Sequence, residues 1–233
     1  MLKPLLSVGI PSSHIFEQSL GARAFTLDID GVQNGCTVVG GGVNASIDAG
    51  TFLRANWLTW QPQQKPVKYT DPEWLSYFAV EAATVKVKAY FYDGSYQVIT
   101  LTSLTAGKLY SLDVCFQYIT GLVTGQPVYF DIWTENASAV RWSFIQRYVL
   151  IATAFEQEDL FVFRNSLCGI DTVRFTGTKE LAPEFDILSA TINDDETVDY
   201  DQDHTFYYKK NTGFFKTLRE RSWVGDFLNS TWR

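Results

Sequence analysis

The chain has 233 residues, 46% of them hydrophobic and 15% aromatic, which is enough apolar side chain for a sizeable core, so a disordered chain is not expected. Its 17 Phe, 12 Tyr and 7 Trp against a single Met favour strands over a helical bundle. The net charge of -7 disfavours non-specific binding to nucleic acid or to an anionic membrane surface.

The N-terminal segment and the cysteines indicate a protein that is made and kept in a cytoplasm. Residues 1–14 contain a short apolar run broken by Pro4 and Pro11, which fits neither a signal peptide nor a spanning helix. The cysteines are three in number, widely spaced and without a CxxC pair: Cys36, Cys115 and Cys168. This pattern predicts neither a disulfide framework nor a zinc site.

Residues 1–66 are expected to form an N-terminal region of short strands and loops. Short β-like pieces alternate with glycine, and the run 40–42 is Gly-Gly-Gly. A phosphate loop would continue with Lys and Ser or Thr, so the glycines are better explained by tight turns. The period-two alternation of 52–60 predicts a strand, and the polar stretch 61–66 predicts a connecting loop.

Residues 67–155 are expected to form an antiparallel β-sandwich of the immunoglobulin or fibronectin-III type. The segment 84–90 alternates cleanly, Asp93-Gly94 marks a hairpin turn, and 96–101 returns. Further strands are predicted at 109–118, 128–133 and 140–151. Closely spaced strands with no helical pattern between them are typical of a sandwich.

Residues 156–233 are expected to form a smaller β-rich unit that ends in one amphipathic helix. The strands are predicted at 160–163, 172–176, 184–192 and 204–209. Leu218, Val224 and Phe227 recur at helical spacing, and a Thr217 to Glu220 capping box precedes them. The fold class is therefore mainly β.

No catalytic or cofactor-binding constellation is present in the sequence. The two histidines, His14 and His204, lie far apart, and neither accompanies a nucleophile in a strained glycine turn. A weak metal hypothesis falls on the alternating carboxylates Asp199, Asp201 and Asp203. A calcium loop of the EF-hand type needs Gly and Glu where this chain has His204 and Lys210, so a solvated loop is favoured.

Carboxylates and tryptophans leave two further hypotheses open. A glycosidase pair could come from Asp93, Asp113, Asp131 and Glu135, although such residues on a sandwich usually face solvent. Five tryptophans are candidates for an interface or for a sugar platform: Trp57, Trp60, Trp74, Trp133 and Trp142. Strand aromatics usually pack in a core or at a protein interface, which favours these roles over a platform for sugars.

Several segments resemble a family of bacteriophage and prophage structural proteins associated with the tail or virion. The most specific segment is 160–177, LFVFRNSLCGIDTVRFTG. Weaker matches lie at 61–62, 71–75, 92–94, 147–150 and 211–214. The chain departs from the pattern at Cys168, where a second glycine or an aromatic residue is more usual.

The resemblance implies a virion component without catalytic residues that acts by assembly. Its partners would be copies of itself, in a symmetric oligomer, and other virion proteins, with assembly in the host bacterial cytoplasm. The leading hypothesis is therefore a non-enzymatic structural protein of the tail or of the head–tail connector region. A carbohydrate- or receptor-binding adhesion module is the alternative, and a glycoside hydrolase is a third, weaker one.

Overall fold

The computed structural model describes residues 8–30, 32–42, 46–193, 196–215 and 217–230. At 27, 29, 32, 34, 186, 188–193 and 196–203 it describes the backbone alone. The elements are β1 (Ile15–Glu17), β2 (Ala22–Ile29), β3 (Val32–Val39), α1 (Ala49–Ala55), β4 (Gln64–Val67), β5 (Trp74–Ala79), β6 (Ala83–Phe91), β7 (Tyr96–Leu104), β8 (Lys108–Asp113), α2 (Phe116–Gly121), β9 (Pro127–Glu135), β10 (Gln146–Leu150), β11 (Asp159–Arg164), β12 (Ile170–Phe175), β13 (Lys179–Asn193), β14 (Glu196–Lys210) and α3 (Leu218–Asn229).

Two sheets enclose the main core, and the prediction of a mainly β fold is confirmed. One sheet has the order β1-β8-β5, the other β4-β10-β9-β6-β7. Their strands pair antiparallel except for β4 and β10, which run parallel. Buried side chains of both sheets meet in one cluster, with Tyr77 and Leu112 from the smaller sheet and Val87, Phe130 and Tyr148 from the larger. Because one apolar face of each sheet is removed from water, the arrangement is a sandwich.

The hairpin of β6 and β7 follows its sequence pattern. In β6 the residues Val85, Val87 and Ala89 are buried, and the residues between them are partly exposed. Gly94 adopts a φ of 82°, a conformation that costs glycine little. The predicted strands and turn are therefore confirmed, because a period of two combined with a suitable turn residue decides the register locally.

A second apolar layer covers the other face of the smaller sheet. Phe78 of β5 and Leu109 of β8 pack there with Leu167, Cys168 and Ile170. The segment 165–169 is thus the loop between β11 and β12, and it is buried against the sheet. The hairpin with a structured loop that the sequence predicted is confirmed.

Asn165 holds the conformation of this loop. Its Oδ1 accepts hydrogen bonds from the backbone N–H groups of Leu167 at 3.0 Å and of Gly169 at 2.8 Å. Its Nδ2 donates to the Leu58 carbonyl at 2.8 Å. Cys168 has a φ of 66°, the left-handed region that glycine tolerates best.

The Gly-Gly-Gly run has a packing explanation. A Cβ on Gly41 would lie 2.4 Å from the carbonyl carbon of Leu167, whereas a Cβ on Gly42 would meet nothing within 4 Å. Gly42 donates its N–H to the Ser166 carbonyl at 3.3 Å. Glycine at 41 therefore permits the close approach of two backbone segments.

The chain divides into two compact units, and this division differs from the predicted boundaries at 66/67 and 155/156. The first unit comprises Met1–Thr153, Phe161–Val173 and Phe215–Arg233, and the second comprises Ala154–Leu160 and Arg174–Phe214. Two pairings explain why residues before 67 join the sandwich: β1 pairs with β8, and β4 pairs with β10. Strand pairing between distant segments leaves no local mark in the sequence.

Three predicted strands need correction. The segment 52–60 contains most of helix α1, because the side chain of Asp48 accepts a hydrogen bond from the Thr51 N–H at 2.7 Å and caps the first turn. The strand predicted at 109–118 ends at Asp113, and α2 follows. The strand predicted at 140–151 is restricted to β10, because the chain before it forms turns.

The last helix agrees with its predicted start. Thr217 accepts from the Glu220 N–H and Glu220 accepts from the Thr217 N–H, which is the reciprocal capping box. Its apolar face carries Trp223 and Phe227, and Phe227 packs edge-on against Phe163 with ring centroids 5.3 Å apart. The amphipathic helix predicted at the end of the sequence is confirmed.

Candidate interaction surface

The hairpin of β13 and β14 presents an unusually long ribbon. Each strand has 15 residues, well above the five or six of an average strand, and within the described residues the two pair only with each other. In the antiparallel register Leu181 lies opposite Tyr208 and Pro183 opposite Phe206. Residues directly opposite each other share a face, so these four side chains point the same way.

Apolar side chains dominate this face of the hairpin. We call it the hairpin face, and its apolar members are Leu181, Pro183, Phe185, Ile187, Phe206 and Tyr208, with His204 opposite Phe185 on the same face. Five of them are large hydrophobic residues with between 48% and 64% of their surface exposed. A two-stranded ribbon gains little stability by itself in water, and an exposed apolar stripe of this kind is typical of interaction surfaces.

The opposite face of the hairpin is more polar. Glu180 lies across from Lys209, Ala182 from Tyr207, and Glu184 from Thr205. The sequence pattern contains this signal, since apolar residues at 181, 183, 185 and 187 alternate with charged ones at 184 and 186. Sequence reasoning identifies the two strands but not the exposure of the face, because alternation also fits a strand whose apolar side is covered.

A cleft in the first unit is the second candidate surface. It has a volume of about 460 Å³, and we call it the Trp60 cleft. It is lined mainly by aromatic and other apolar side chains with a few polar ones: Phe52, Asn56, Trp57, Thr59, Trp60, Phe144, Leu167, Leu218, Arg219 and Ser222. A smaller depression of about 240 Å³ shares Phe52 and Leu167 with it, so the two depressions adjoin.

Trp60 and Arg219 stand at this cleft in positions suited to contact a partner. Trp60 remains 38% exposed and donates its Nε1–H to the Ser166 hydroxyl at 2.8 Å. Arg219 Nε lies 3.5 Å from the Trp60 carbonyl oxygen, and within the described residues its guanidinium forms no ion pair. Leu218, at 78% exposure, extends the apolar wall. Trp and Arg are the residues most enriched at the energetic centres of protein interfaces.

The other predicted interface tryptophans are dispersed through the first unit. Trp57 is fully buried and donates its Nε1–H to the Phe144 carbonyl at 3.0 Å, so it belongs to the core and is closed to a partner. Trp74 and Trp142 are half-buried against separate apolar clusters. Trp133 is half-buried on the larger sheet, beside Glu135. The five residues are therefore spread over separate parts of the unit, and of the two that line the Trp60 cleft, Trp57 and Trp60, Trp60 is the exposed one.

Tyrosines form a ladder on the outer face of the larger sheet. Tyr90 stacks on Tyr129 with ring centroids 4.4 Å apart and lies opposite Tyr96. The amino group of Lys88 lies 3.8 Å from the Tyr96 centroid, and the Arg147 guanidinium lies 4.5 Å from that of Tyr129. A sugar stacks on an uncovered ring face, and these cations lie over the rings.

The carboxylates considered for glycoside hydrolysis have separate partners. Asp131 accepts both hydrogen bonds of a bidentate pair with Arg147, at 2.7 and 2.8 Å. Glu135 lies 3.4 Å from the Lys86 amino group. Asp113 pairs with His14 at 2.6 Å. Asp93 is exposed and accepts hydrogen bonds from Ser95 in the β6–β7 turn. Each of the four carboxylates is thus engaged by a partner of its own.

The pair of His14 and Asp113 has a cysteine close by in sequence. Cys115 donates its N–H to Asp113, and its thiol lies 3.7 Å from the Tyr69 carbonyl. Burial raises the pKa of the Cys115 thiol, which favours the neutral form over the nucleophilic thiolate. The arrangement supports a structural role for Cys115.

A cluster of ionisable groups is buried in the first unit. Lys65 Nζ lies 2.6 Å from Glu73 Oε2 and donates to the carbonyl and the hydroxyl of Thr172, at 2.8 and 2.6 Å. Asp171 accepts from the Thr59 hydroxyl at 2.7 Å, while its Oδ2 has no hydrogen-bond partner among the described residues. Burial raises the pKa of Asp171 to about 6 and also raises the pKa of Glu73.

This buried cluster is closed to solvent, so a substrate has no path to its groups. Lys65, Glu73 and Asp171 are at most 4% exposed. No sequence pattern indicates the cluster, because Lys65 and Thr172 are 107 positions apart. Its partners satisfy most of the buried charge, which is the usual condition for keeping ions inside a protein.

The residues of the weak metal hypothesis lie in a segment for which the structure describes the backbone alone. Asp199, Asp201 and Asp203 lie on β14, opposite Ser189, Leu188 and Asp186 of β13, and their side chains are outside the described set. The segment expected to be a loop is therefore strand in this region. Elsewhere in the described ranges, no group of three or more His, Cys, Asp or Glu side chains is placed to hold a metal ion.

No family model matches the chain, and no curated protein matches it. In the described ranges, none of the helices combines the length and the apolar run that crossing a bilayer requires.

Proposed function

We propose that this chain is a non-enzymatic structural component of a bacteriophage virion, in the tail or in the head–tail connector region. It assembles in the cytoplasm of the host bacterium through contacts with copies of itself and with other virion proteins. The observation that carries the proposal is the hairpin face, an exposed apolar stripe on a ribbon of two 15-residue strands. The resemblance of 160–177 to phage structural proteins supplies the class of particle.

The physical case for assembly is the cost of leaving the hairpin face in water. Each large apolar side chain that becomes covered contributes roughly 1.5–3 kcal/mol when burial is complete. Phe185, Phe206 and Tyr208 are each more than half exposed, so most of that free energy remains to be gained. A permanent interface of an assembled particle is the setting in which such a stripe becomes buried.

The test is whether the protein is found in particles. Phage particles are purified by density gradient from a lysate of the bacterium that carries the gene, and the chain is quantified by mass spectrometry against the capsid protein. We expect a fixed copy number per particle that persists after high-salt washing. A chain that stays in the soluble fraction and is absent from particles overturns the proposal.

Light scattering of the purified protein provides a second readout with a matched control. The wild type is expected to form an oligomer that is a multiple of the 26.4 kDa chain. Phe206→Ser, on the hairpin face, is expected to shift the population to monomer. Tyr207→Ser changes the opposite face of the same strand and is expected to leave the oligomer intact. Equal behaviour of the two variants contradicts assembly through the hairpin face.

The adhesion alternative is favoured by one observation, the half-exposed tyrosine ladder on the larger sheet. It predicts binding to a glycan array that is lost on Tyr96→Ala, a residue 59% exposed. The covering of the ladder by Lys88 and Arg147 argues for the structural proposal over this one. Glycan binding by a monomeric protein would reverse that order.

A further inference from the structure

The smaller of the two depressions in the first unit lies between the edge of β3 and one face of α1. On the strand side it is lined by the three consecutive residues 37–39. Side chains of consecutive strand residues point to opposite faces, so what these three share is the edge of the strand. On the helix side Ala49, Phe52 and Leu53 follow the spacing i, i+3, i+4 and share one face of α1. We call this depression, of about 240 Å³, the β3–α1 groove.

The backbone of β3 has unused hydrogen-bonding groups at this edge. Among the described residues β3 pairs with β2 alone, and Gly40 continues the ladder by donating its N–H to the Gly21 carbonyl at 3.0 Å. In an antiparallel ladder, residues that bond to the partner strand alternate with residues whose N–H and C=O groups point away from it. Val38 is therefore a bonded residue like Gly40. The N–H and C=O groups of Thr37 and Val39 point away from β2, and no other described residue bonds to them.

The rest of the groove lining is apolar. Leu58 and Leu167 belong to the second apolar layer, and Gly41 and Gly42 line one end. A volume of about 240 Å³ is smaller than the roughly 300–1,000 Å³ of most small-molecule sites. The groove is therefore of a size to receive aliphatic side chains of a longer ligand.

The adjoining Trp60 cleft supplies a positive charge. It shares Phe52 and Leu167 with the groove, and among the described residues that line the two depressions Arg219 alone is charged. Burial lowers the pKa of the Arg219 guanidinium, as expected for a cation partly withdrawn from water. The described residues give it no carboxylate partner. A carboxylate of a bound ligand is the complementary group, because guanidinium and carboxylate form strong paired hydrogen bonds.

We infer that the β3–α1 groove binds an extended segment of a partner protein, which adds a strand to the edge of β3 and places an acidic side chain at Arg219. The main-chain groups of Thr37 and Val39 hydrogen-bond to the segment, and every second side chain of the segment enters the groove. Strand addition of this kind takes its affinity from main-chain hydrogen bonds and its specificity from pockets for alternate side chains. The site lies in the first unit and goes beyond the proposed assembly through the hairpin face.

The polar side chains of the Trp60 cleft favour a peptide over a sugar. The Thr59 hydroxyl donates to Asp171 at 2.7 Å, and the Ser222 hydroxyl donates to the Leu218 carbonyl at 3.1 Å. These donors are used within the protein, whereas a sugar needs several side-chain groups for its hydroxyls. An extended peptide finds its hydrogen bonds on the strand edge instead.

The test is the binding of a labelled synthetic peptide to the full chain, measured by fluorescence anisotropy. The probe alternates Leu with Thr and carries Glu at both ends, so that either strand direction can bring a carboxylate to Arg219. We expect saturable binding. Two further probes carry methyl groups on the backbone nitrogens of all Leu or of all Thr residues. One set of nitrogens faces β3 and the other faces solvent, so one probe should bind roughly tenfold more weakly and the other like the parent. Absence of binding, or equal binding of both methylated probes, overturns the inference.

A proline substitution tests the strand edge from the side of the protein. Thr37→Pro removes an N–H that points away from β2 and leaves the ladder intact, so it should weaken binding of the parent probe by roughly tenfold. Gly35→Pro removes the next outward N–H along the strand, outside the groove lining, and should bind like the wild type. Circular dichroism checks that both variants are folded. Equal affinities of the two variants contradict strand addition at 37–39.

The acidic contact is tested with a probe that has Gln in place of Glu. The wild type should bind the Glu probe roughly tenfold more tightly than the Gln probe, and Arg219→Gln should bind both alike. Arg221→Gln, on the same helix but outside the cleft lining, should discriminate like the wild type. Discrimination that persists in Arg219→Gln contradicts the placement of the carboxylate at Arg219.

The outcomes for the groove and for the proposed function are distinguishable. Light scattering of Thr37→Pro should give the same oligomer as the wild type, because the hairpin face is unchanged. Failure of peptide binding overturns the inference while assembly stands. A chain that is absent from particles overturns the assembly function, and peptide binding by the groove is measured without it.

Discussion

Lys65 and Glu73 form an ion pair that is almost completely withdrawn from solvent, with 2.6 Å between Nζ and Oε2. The side chains are 5% and 2% exposed, and Thr172 accepts two further hydrogen bonds from the ammonium group. The pair joins β4 to the chain just before β5 and to β12, three segments that are separate in sequence. It therefore links the two sheets of the sandwich to the hairpin of β11 and β12.

Breaking this ion pair on one side should be strongly destabilising. Lys65→Met leaves the Glu73 carboxylate buried without its cation, and we expect a loss of about 3–5 kcal/mol in the free energy of unfolding. The double variant Lys65→Met, Glu73→Leu should recover much of that loss, because no charge remains buried. Urea denaturation at pH 7 measures both.

An exposed ion pair serves as the control for this prediction. Lys108 and Glu17 lie 2.7 Å apart, but their side chains are 43% and 42% exposed. Lys108→Met should change stability little, because water screens the pair in the folded state. Equal losses for Lys65→Met and Lys108→Met would show that burial does not set the cost.

The pKa of Asp171 predicts a pH-dependent effect of Asp171→Asn. Burial raises this pKa from 3.8 to about 6, so between these values the folded state holds a proton that the unfolded state has released. The contribution of Asp171 to the free energy of unfolding is therefore fully present below about pH 4. It is lost as the pH rises to about 6, by about 3 kcal/mol in total. The amide that replaces the carboxyl in the variant cannot ionise, so the variant should not show this loss.

The comparison is made as a difference between variant and wild type at two pH values. The free energy of unfolding of Asp171→Asn minus that of the wild type should be about 2–3 kcal/mol higher at pH 7 than at pH 4, which means that the variant is relatively more stable at pH 7. Other titrating groups, Glu73 among them, are common to both proteins and cancel to first order. A difference that is the same at both pH values contradicts the raised pKa.

Adjacent glycines offer a matched pair of substitutions. Gly41→Ala places a Cβ 2.4 Å from the backbone of Leu167 and should cost about 1–3 kcal/mol by forcing the loop away. Gly42→Ala meets nothing within 4 Å and should leave the melting temperature nearly unchanged. Calorimetric melting of both variants checks this, and a larger loss for Gly42→Ala would count against the close approach at 41.

The three thiols should differ widely in reactivity towards an alkylating reagent. Cys36 is exposed, Cys115 is partly exposed, and Cys168 is 1% exposed with a thiol pKa that burial raises. In the native protein at about pH 8, Cys36 should react first and Cys168 only after unfolding in urea. Peptide mass spectrometry assigns the order, and rapid modification of native Cys168 would be incompatible with its burial.

The parts of the fold that the sequence predicts correctly are those that local pattern decides. The strand β6, its Asp93-Gly94 turn and the Thr217 capping box each depend on residues within a few positions of one another. The alternation of 52–60 predicts a strand, but helix α1 forms over part of this segment. The capping residue Asp48 is the local sign of that helix. Short amphipathic segments fit either period, and packing decides between them.

The candidate surfaces are predictable only in part. The residue type of Trp60 predicts an interface residue, and the structure places it in a concave surface with Arg219, 159 positions away. No single-sequence signal joins two such distant residues. Trp57 shows the opposite case, since its residue type fits an interface equally well and its burial follows from the pairing of distant strands.

The hairpin of β13 and β14 lies in the sequence between β11 and α3, and this position affects the order in which the chain can fold during synthesis. Phe227 contacts Phe161 and Phe163, so the first unit acquires its last aromatic neighbour only after the ribosome has translated the whole ribbon between them. During that interval the apolar stripe emerges before the domain that precedes it is closed. Like charges within the ribbon oppose the association of nascent chains through this stripe during that interval.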